Sequence, residues 1–227
     1  FSLSLGQSKN IWVSHFKCFS SYGASDGINT KACENVRVEK SFVCSNDDAL
    51  SVYATSVDYL GSTRNYTAYN NILTSGIHMA IHGQEFGSDE VSNIRIEQLY
   101  ILNNATRCAN SFYQGMLSVN AGNGVTARDI RFDTIYIEEL QGNQLLNVRV
   151  FMNPNYNKEP GRLVENVTYA NIFYTGSEKA VNPAVISGSS ADRAVRNLTL
   201  ENILINGNPM TDLWLEVGPY VENLVIR

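Results

Sequence analysis

Three observations predict an all-β chain wound as a right-handed parallel β-helix. Apolar residues alternate over short segments along the whole chain, and almost no window carries the i, i+3, i+4, i+7 spacing of an amphipathic helix. One unit also recurs: Asn, then apolar-x-apolar, then two residues, then apolar-x-apolar. Each turn of a solenoid adds such short strands to continuous sheets, with like residues stacked ~4.8 Å apart from coil to coil.

In chain order the units read "KNIWVSHF", "ENVRVEKSFV", "SNIRIEQLYIL", "RDIRFDTIYI", "ENVTYANIFY", "RNLTLENILI" and "ENLVIR". Their first apolar residues are Ile11, Val36, Ile94, Ile130, Val167, Leu198 and Leu224, and a weaker copy, "RNYTAYNNIL", fills the gap between the second and third. Ser41 stands where the second unit should be apolar, and Asp129 replaces the opening Asn of the fourth. The opening Asn suits a corner, because its side chain tolerates the left-handed backbone region and bonds its neighbours. The period of about 25 to 37 residues is long for a leucine-rich repeat, whose leucine pattern is missing. A β-sandwich would show hairpin turns between closely spaced strands, and few are present.

With 227 residues, 44% of them hydrophobic, the chain can bury a sizeable core, and residues 1–227 read as one domain. A net charge of −5 argues against a nucleic-acid partner, which requires a basic surface. No stretch approaches the roughly 20 apolar residues of a bilayer span, so no membrane partner is expected. Cys18, Cys33, Cys44 and Cys108 lack CxxC spacing, which argues against a zinc ribbon, and no metal or other cofactor is expected. Asn65, Asn104, Asn166 and Asn197 open N-x-S/T sequons, which with the sparse lysines points to a secreted, extracellular glycoprotein. Disulfides fit that setting, and Cys18 and Cys44 stand about one coil apart. Because the chain begins at Phe1, it is expected to be the C-terminal part of a longer one, without its first coils.

Only 17% of the residues are charged, yet "SFVCSNDDALSVYATS" sets Asp47 beside Asp48 among small and apolar residues. Asp26, in "YGASDGINT", precedes the pair by about one short coil, so stacking brings three carboxylates to one patch. Like charges that close cannot all ionise independently, and at least one should hold a proton near neutrality. A protonated acid beside ionised carboxylates is what glycoside hydrolysis uses. Strict strand alternation would bury Asp48 with Leu50 and Val52, so the backbone is expected to bend near Asn46–Ala49.

The pattern "SDG…NV.V…F…NDDAL", with the later coils "NVTYANIFYTG" and "NLTLENILING", resembles the parallel β-helix glycoside hydrolases, the clan of polygalacturonases (family 28) and of dextranase and isopullulanase (family 49). Ala49 after the pair is more similar to the dextranase form than to the polygalacturonase form, which has cysteine there. The resemblance implies an inverting single displacement: Asp47 as general acid, Asp48 and Asp26 holding and deprotonating the water. Polygalacturonases also carry a Gly-His-Gly segment and a carboxylate-binding Arg-x-Lys. The matching regions here read "SGIHMAIHG" and "GMLSVNAG", which favours a neutral, α-linked polysaccharide or oligosaccharide as substrate.

Around the carboxylates, His78 and Tyr53 are candidate substrate-binding residues; Trp12, Tyr69 and Trp214 read more simply as packing residues. The His78/His82 spacing means little as a metal site on a strand. Alternative functions are a pectin hydrolase, a calcium-dependent polysaccharide lyase with Arg37 or Lys40 as base, and a non-catalytic glycan-binding solenoid.

Overall fold

The asparagine opening each unit turns the chain. A computed structural model describes residues 2–56, 58–74, 79–83, 89–103 and 115–227, with backbone alone for Met79, Ala80, His82 and Gly83. Asn10, Asn35, Asn65, Asn93, Asp129, Asn166, Asn197 and Asn223 all adopt φ between 54° and 58°. Their side chains form a ladder: Asn35 donates to Asn10, Asn65 to Asn35, Asn93 to Asn65, Asn166 to Asp129, Asn197 to Asn166 and Asn223 to Asn197, at 2.7–3.0 Å. These steps span 25, 30, 28, 37, 31 and 26 residues, so coils of unequal length share one corner. Asp129 opposes Asn93 in the register but has no amide with which to continue the ladder; Arg128 pairs with its other carboxylate oxygen.

Two parallel sheets run the length of the solenoid. In the first, Leu3–Gly6, Ile28–Lys31, Leu50–Tyr53, Met79–Gly83, Leu117–Ala121, Leu146–Val150, Ala184–Ser187 and Leu215–Val217 stack in chain order. The second is built from longer strands, among them Glu34–Glu39, Thr63–Thr74, Glu90–Leu102, Thr126–Glu138, Leu163–Thr175 and Val195–Ile205. Most of these bend midway at another left-handed residue, such as Asn70, Gln98, Thr134, Asn171 or Asn202. The chain is a parallel β-helix, and no helix among the described residues is long and apolar enough to cross a membrane.

Every repeat marker pairs with the next: Ile11 with Val36, Ile94 with Ile130, Ile130 with Val167, Val167 with Leu198, and Leu198 with Leu224. The weak copy supplies Tyr66, which sits between Val36 and Ile94. These rungs fill the interior together with Val38, Ala68, Ile96, Phe132, Tyr169 and Leu200, the rings of Phe132 and Tyr169 stacking at 4.5 Å. Each fully buried aliphatic contributes ~1.5–3 kcal/mol. Ser41 is buried at its anomalous position because its polar groups are satisfied: its N–H donates to Asn71 Oδ1 at 3.0 Å and its hydroxyl to the Glu39 carbonyl at 2.9 Å. Tyr66 is fully buried and its hydroxyl has no partner among the described residues.

Cys18 and Cys44 are not bonded. Cys18 pairs in register with Val43, so alternation turns Cys44 to the opposite face; Cys18, Cys33 and Cys44 are all free thiols. Cys108 lies outside the described residues.

Candidate active site

The first sheet buries both faces. Ile28, Leu50, Leu117 and Leu146 occupy one inward row, and Val52, Ile81, Val119, Val148 and Ile186 another. Alternation therefore directs Asn29, Ser51, Ser118 and Asn147 outward in one row, and Lys31, Tyr53, Asn120 and Arg149 in the next. A purely solvated face would not be this polar and this enclosed: of these eight all but Arg149 are buried.

Asp26 and Asp48 lie at the N-terminal edge of this outward face. The pairing of Ile28 with Leu50 extends backwards through hydrogen bonds from Ile28 N–H to the Ala49 carbonyl (2.9 Å) and from Gly27 N–H to the Asp48 carbonyl (2.8 Å). The Asp47 N–H donates to the Ser25 carbonyl at 3.1 Å, which places Asp26 opposite Asp48. Glycine is required between Asp26 and Ile28: a Cβ on Gly27 would lie 2.3 Å from both the Ala49 carbonyl oxygen and Val43 Cγ1. The expected bend is present at Asn46, Asp47 and Ala49. It rotates Asp48 out of the inward parity of Leu50, so that its Oδ2 accepts a 3.2 Å hydrogen bond from the Tyr53 hydroxyl.

Asp26 and Asp48 are both buried, whereas Asp47 is half-buried. Burial, and next the Asp48 charge, push the Asp26 carboxyl above its ordinary value, while Asn29 pulls it back. Asn29 Nδ2 donates to Asp26 Oδ2 at 2.8 Å, and the Ser51 hydroxyl in turn donates to Asn29 Oδ1. The arrangement sets one carboxyl that favours its proton beside another held by a phenol, with a third, more accessible one next along the chain. It can donate a proton and orient a water, which are the two requirements of direct glycosidic hydrolysis.

Of the residues read from the sequence, the structure brings together Asp26, Asp48 and Tyr53, with Asp47 beside them in the chain. His78 and Asn104 lie outside the described residues. Asn65, Asn166 and Asn197 are exposed rungs of the corner ladder. Trp12 lies on the second sheet, donating to Glu39 at 3.2 Å; Tyr69 lies there too, beneath Arg37. Arg37 and Lys40, the two bases considered for a lyase, are also on that sheet, Arg37 paired with Glu39. No group of three metal-ligating side chains occurs among the described residues.

Sequence reasoning missed Asn29 and Lys31, and found no base stacked on the acidic coil. Lys31 pairs in register with Tyr53, and Arg149 with Asn120, in the same outward row. The missed signal was polarity in the outward parity of a strand whose neighbours are all buried, as in "GINTK" and "LNVRV". Arg149 also lies over the Phe151 ring at 5.2 Å and donates to Ser187 Oγ at 3.3 Å.

No curated protein sequence matches the chain. Among solved structures it is similar to QnrB1, a plasmid-mediated fluoroquinolone resistance protein, at TM-score 0.21 and 8% identity over 97% of this chain and 91% of that one, a likeness that carries no argument. The model of glycosyl hydrolases family 28 matches residues 1–217. The family is therefore the polygalacturonase one, and the closeness to the dextranase form read from Ala49 finds no support. With its parallel coils and its coil-stacked aspartates, the chain belongs to glycosyl hydrolases family 28.

Proposed function

We propose that this glycoside hydrolase inverts its anomeric centre, with Asp47 protonating the leaving oxygen and Asp26 and Asp48 together orienting and deprotonating water. The observation that carries this reading is the register of Asp26 against Asp48, which sets two carboxyls from successive coils across one strand spacing, where both can accept from one water. Asp47, half-buried next to the pair, is more accessible than Asp26 or Asp48, which supports the acid role. The test is NMR of the first product anomer: inversion agrees, and retention, which requires a covalent glycosyl intermediate, overturns the reading.

For the substrate, the reading best supported is an α-linked, uronate-bearing polysaccharide of the pectin type. Arg149, the partly exposed member of the outward row, supports this as a cation that sequence reading found wanting, and the family contains polygalacturonases. A neutral polysaccharide remains the second reading, favoured by Ser118 and Asn120, the uncharged outward residues of Leu117–Ala121. Reducing-sugar release from galacturonan set against α-glucans and galactans separates the two. We propose secretion as a glycoprotein on the four sequons; a mass decrease on enzymatic deglycosylation of the natural protein tests it.

A further inference from the structure

A groove lies on the second sheet, lined by none of the aspartates. Strand register aligns Lys17, Phe42, Ile72, Tyr100, Tyr136 and Phe173 along the outside of the solenoid. Tyr100 stacks on Tyr136 at 5.3 Å and 12°, and Tyr136 on Phe173 at 5.2 Å, so the rings face along the solenoid axis. Phe42 meets Phe19 at 5.1 Å on its other side. The aromatic row is broken once, at Ile72, whose short side chain leaves a groove of about 630 Å³ lined also by Phe19, Phe42 and Tyr100.

The width of the gap selects the guest. Phe42 and Tyr100 are two strand spacings apart, about 9–10 Å, and each ring takes a carbon contact at ~3.5–4.0 Å. One saturated ring fits between them with both faces covered. Its rim carries Lys17, Lys40 and Asn70. Neither lysine forms an ion pair among the described residues, whereas Lys9, Arg37, Arg64, Arg128 and Arg131 all do; Lys40 lies in the field of Glu39, which Arg37 already pairs. In a chain of net charge −5, two lysines without an ion pair among the described residues beside an aromatic slot favour an anionic guest.

We infer that this slot is an accessory binding site for an acidic pyranose, a uronate unit of a polysaccharide, gripped between Phe42 and Tyr100 over Ile72 with its carboxylate at Lys17 and Lys40. The site uses none of the residues assigned to hydrolysis, and its test reads binding alone, so its failure and that of the hydrolase reading are separable. Phenylalanine at the broken rung completes the aromatic row and closes the slot.

Affinity electrophoresis through gels containing polygalacturonic acid or dextran, with Asp47→Asn in every sample to prevent digestion, measures retention. Ile72→Phe and the double variant Lys17→Gln/Lys40→Asn are expected to weaken retention by polygalacturonate at least threefold. Phe19→Ala, at a site 76% exposed, serves as a variant with little effect on folding and is expected to act in the same direction. Dextran is expected to retain all of them weakly and equally. Unchanged retention in Ile72→Phe and Phe19→Ala overturns the site, as does equal retention by dextran and polygalacturonate. A dimer that Ile72→Phe dissociates in gel filtration also overturns it, because a second copy would then be the occupant.

Discussion

Asp26 sits directly across one strand spacing from Asp48, the two backbones joined by the Gly27 N–H to the Asp48 carbonyl at 2.8 Å. Their side chains are held from the same outward face by different donors, Asn29 for Asp26 and Tyr53 for Asp48. Two carboxyls from neighbouring coils therefore lie across one strand spacing in a buried setting, and the charge of Asp48 acts on Asp26.

That coupling makes stability depend on pH. Burial and the Asp48 charge raise the Asp26 pKa above its unfolded value, so the contribution of Asp26 to folding is fully present below about pH 3.8 and is lost as the pH rises through the folded pKa. Asp26→Asn removes the ionisation while keeping an oxygen for Asn29. Urea denaturation should show the variant more stable than the parent at pH 7 and without that advantage at pH 3.

Asp47→Asn should lower kcat by about 10²–10⁴-fold, the usual scale of general acid catalysis. Because Asp47 is half-buried and outside the Asp26–Asp48 contact, the melting temperature should stay at the parental value. Near-parental turnover on the best substrate of the panel would remove Asp47 from the acid role.

Tyr53→Phe deletes the phenol that donates to Asp48. We expect kcat to fall about tenfold, equivalent to roughly 1.4 kcal/mol. Unchanged kcat would remove Tyr53 from the positioning of Asp48.

Asp129→Asn repairs the corner ladder. An amide there can donate to Asn93 while still accepting from Asn166, and Arg128 keeps its pair with Glu90. One net hydrogen bond is worth about 0.5–1.5 kcal/mol, so the melting temperature should rise.

Tyr66→Phe should stabilise as well. The Tyr66 hydroxyl is buried without a partner among the described residues, and an unsatisfied group of this kind costs ~1–3 kcal/mol. Thermal denaturation that finds the variant less stable would mean that the hydroxyl is bonded in solution.

The fold was legible because each coil repeats both its apolar rungs and its left-handed corner, so seven markers and one weak copy sufficed to place the register. The coil-stacked aspartates followed from the same period. What stayed hidden was set by parity and by neighbours rather than by motif. Lys31 and Arg149 are charges in strands that read as buried, and only the register shows that they share the outward row of Tyr53. Cys18 and Cys44 failed as a pair for the same reason: their offset of 26 residues is one more than the local register, and one residue reverses the face. Asn29 carries no motif of its own; its role appears only once its amide is seen against Asp26.

The coil joining Asn29 to Ser51 is just 22 residues long, against 38 for the turn that carries Arg149 to Ser187. A turn that short has no spare length for an excursion between Asp26 and Asp48, so these two carboxyls are fixed by a tight winding of the chain. Longer turns elsewhere can gain or lose surface segments without disturbing that geometry. The architecture thus separates a fixed pair of carboxyls from turns of unequal length, and lets the second vary while the first stays still.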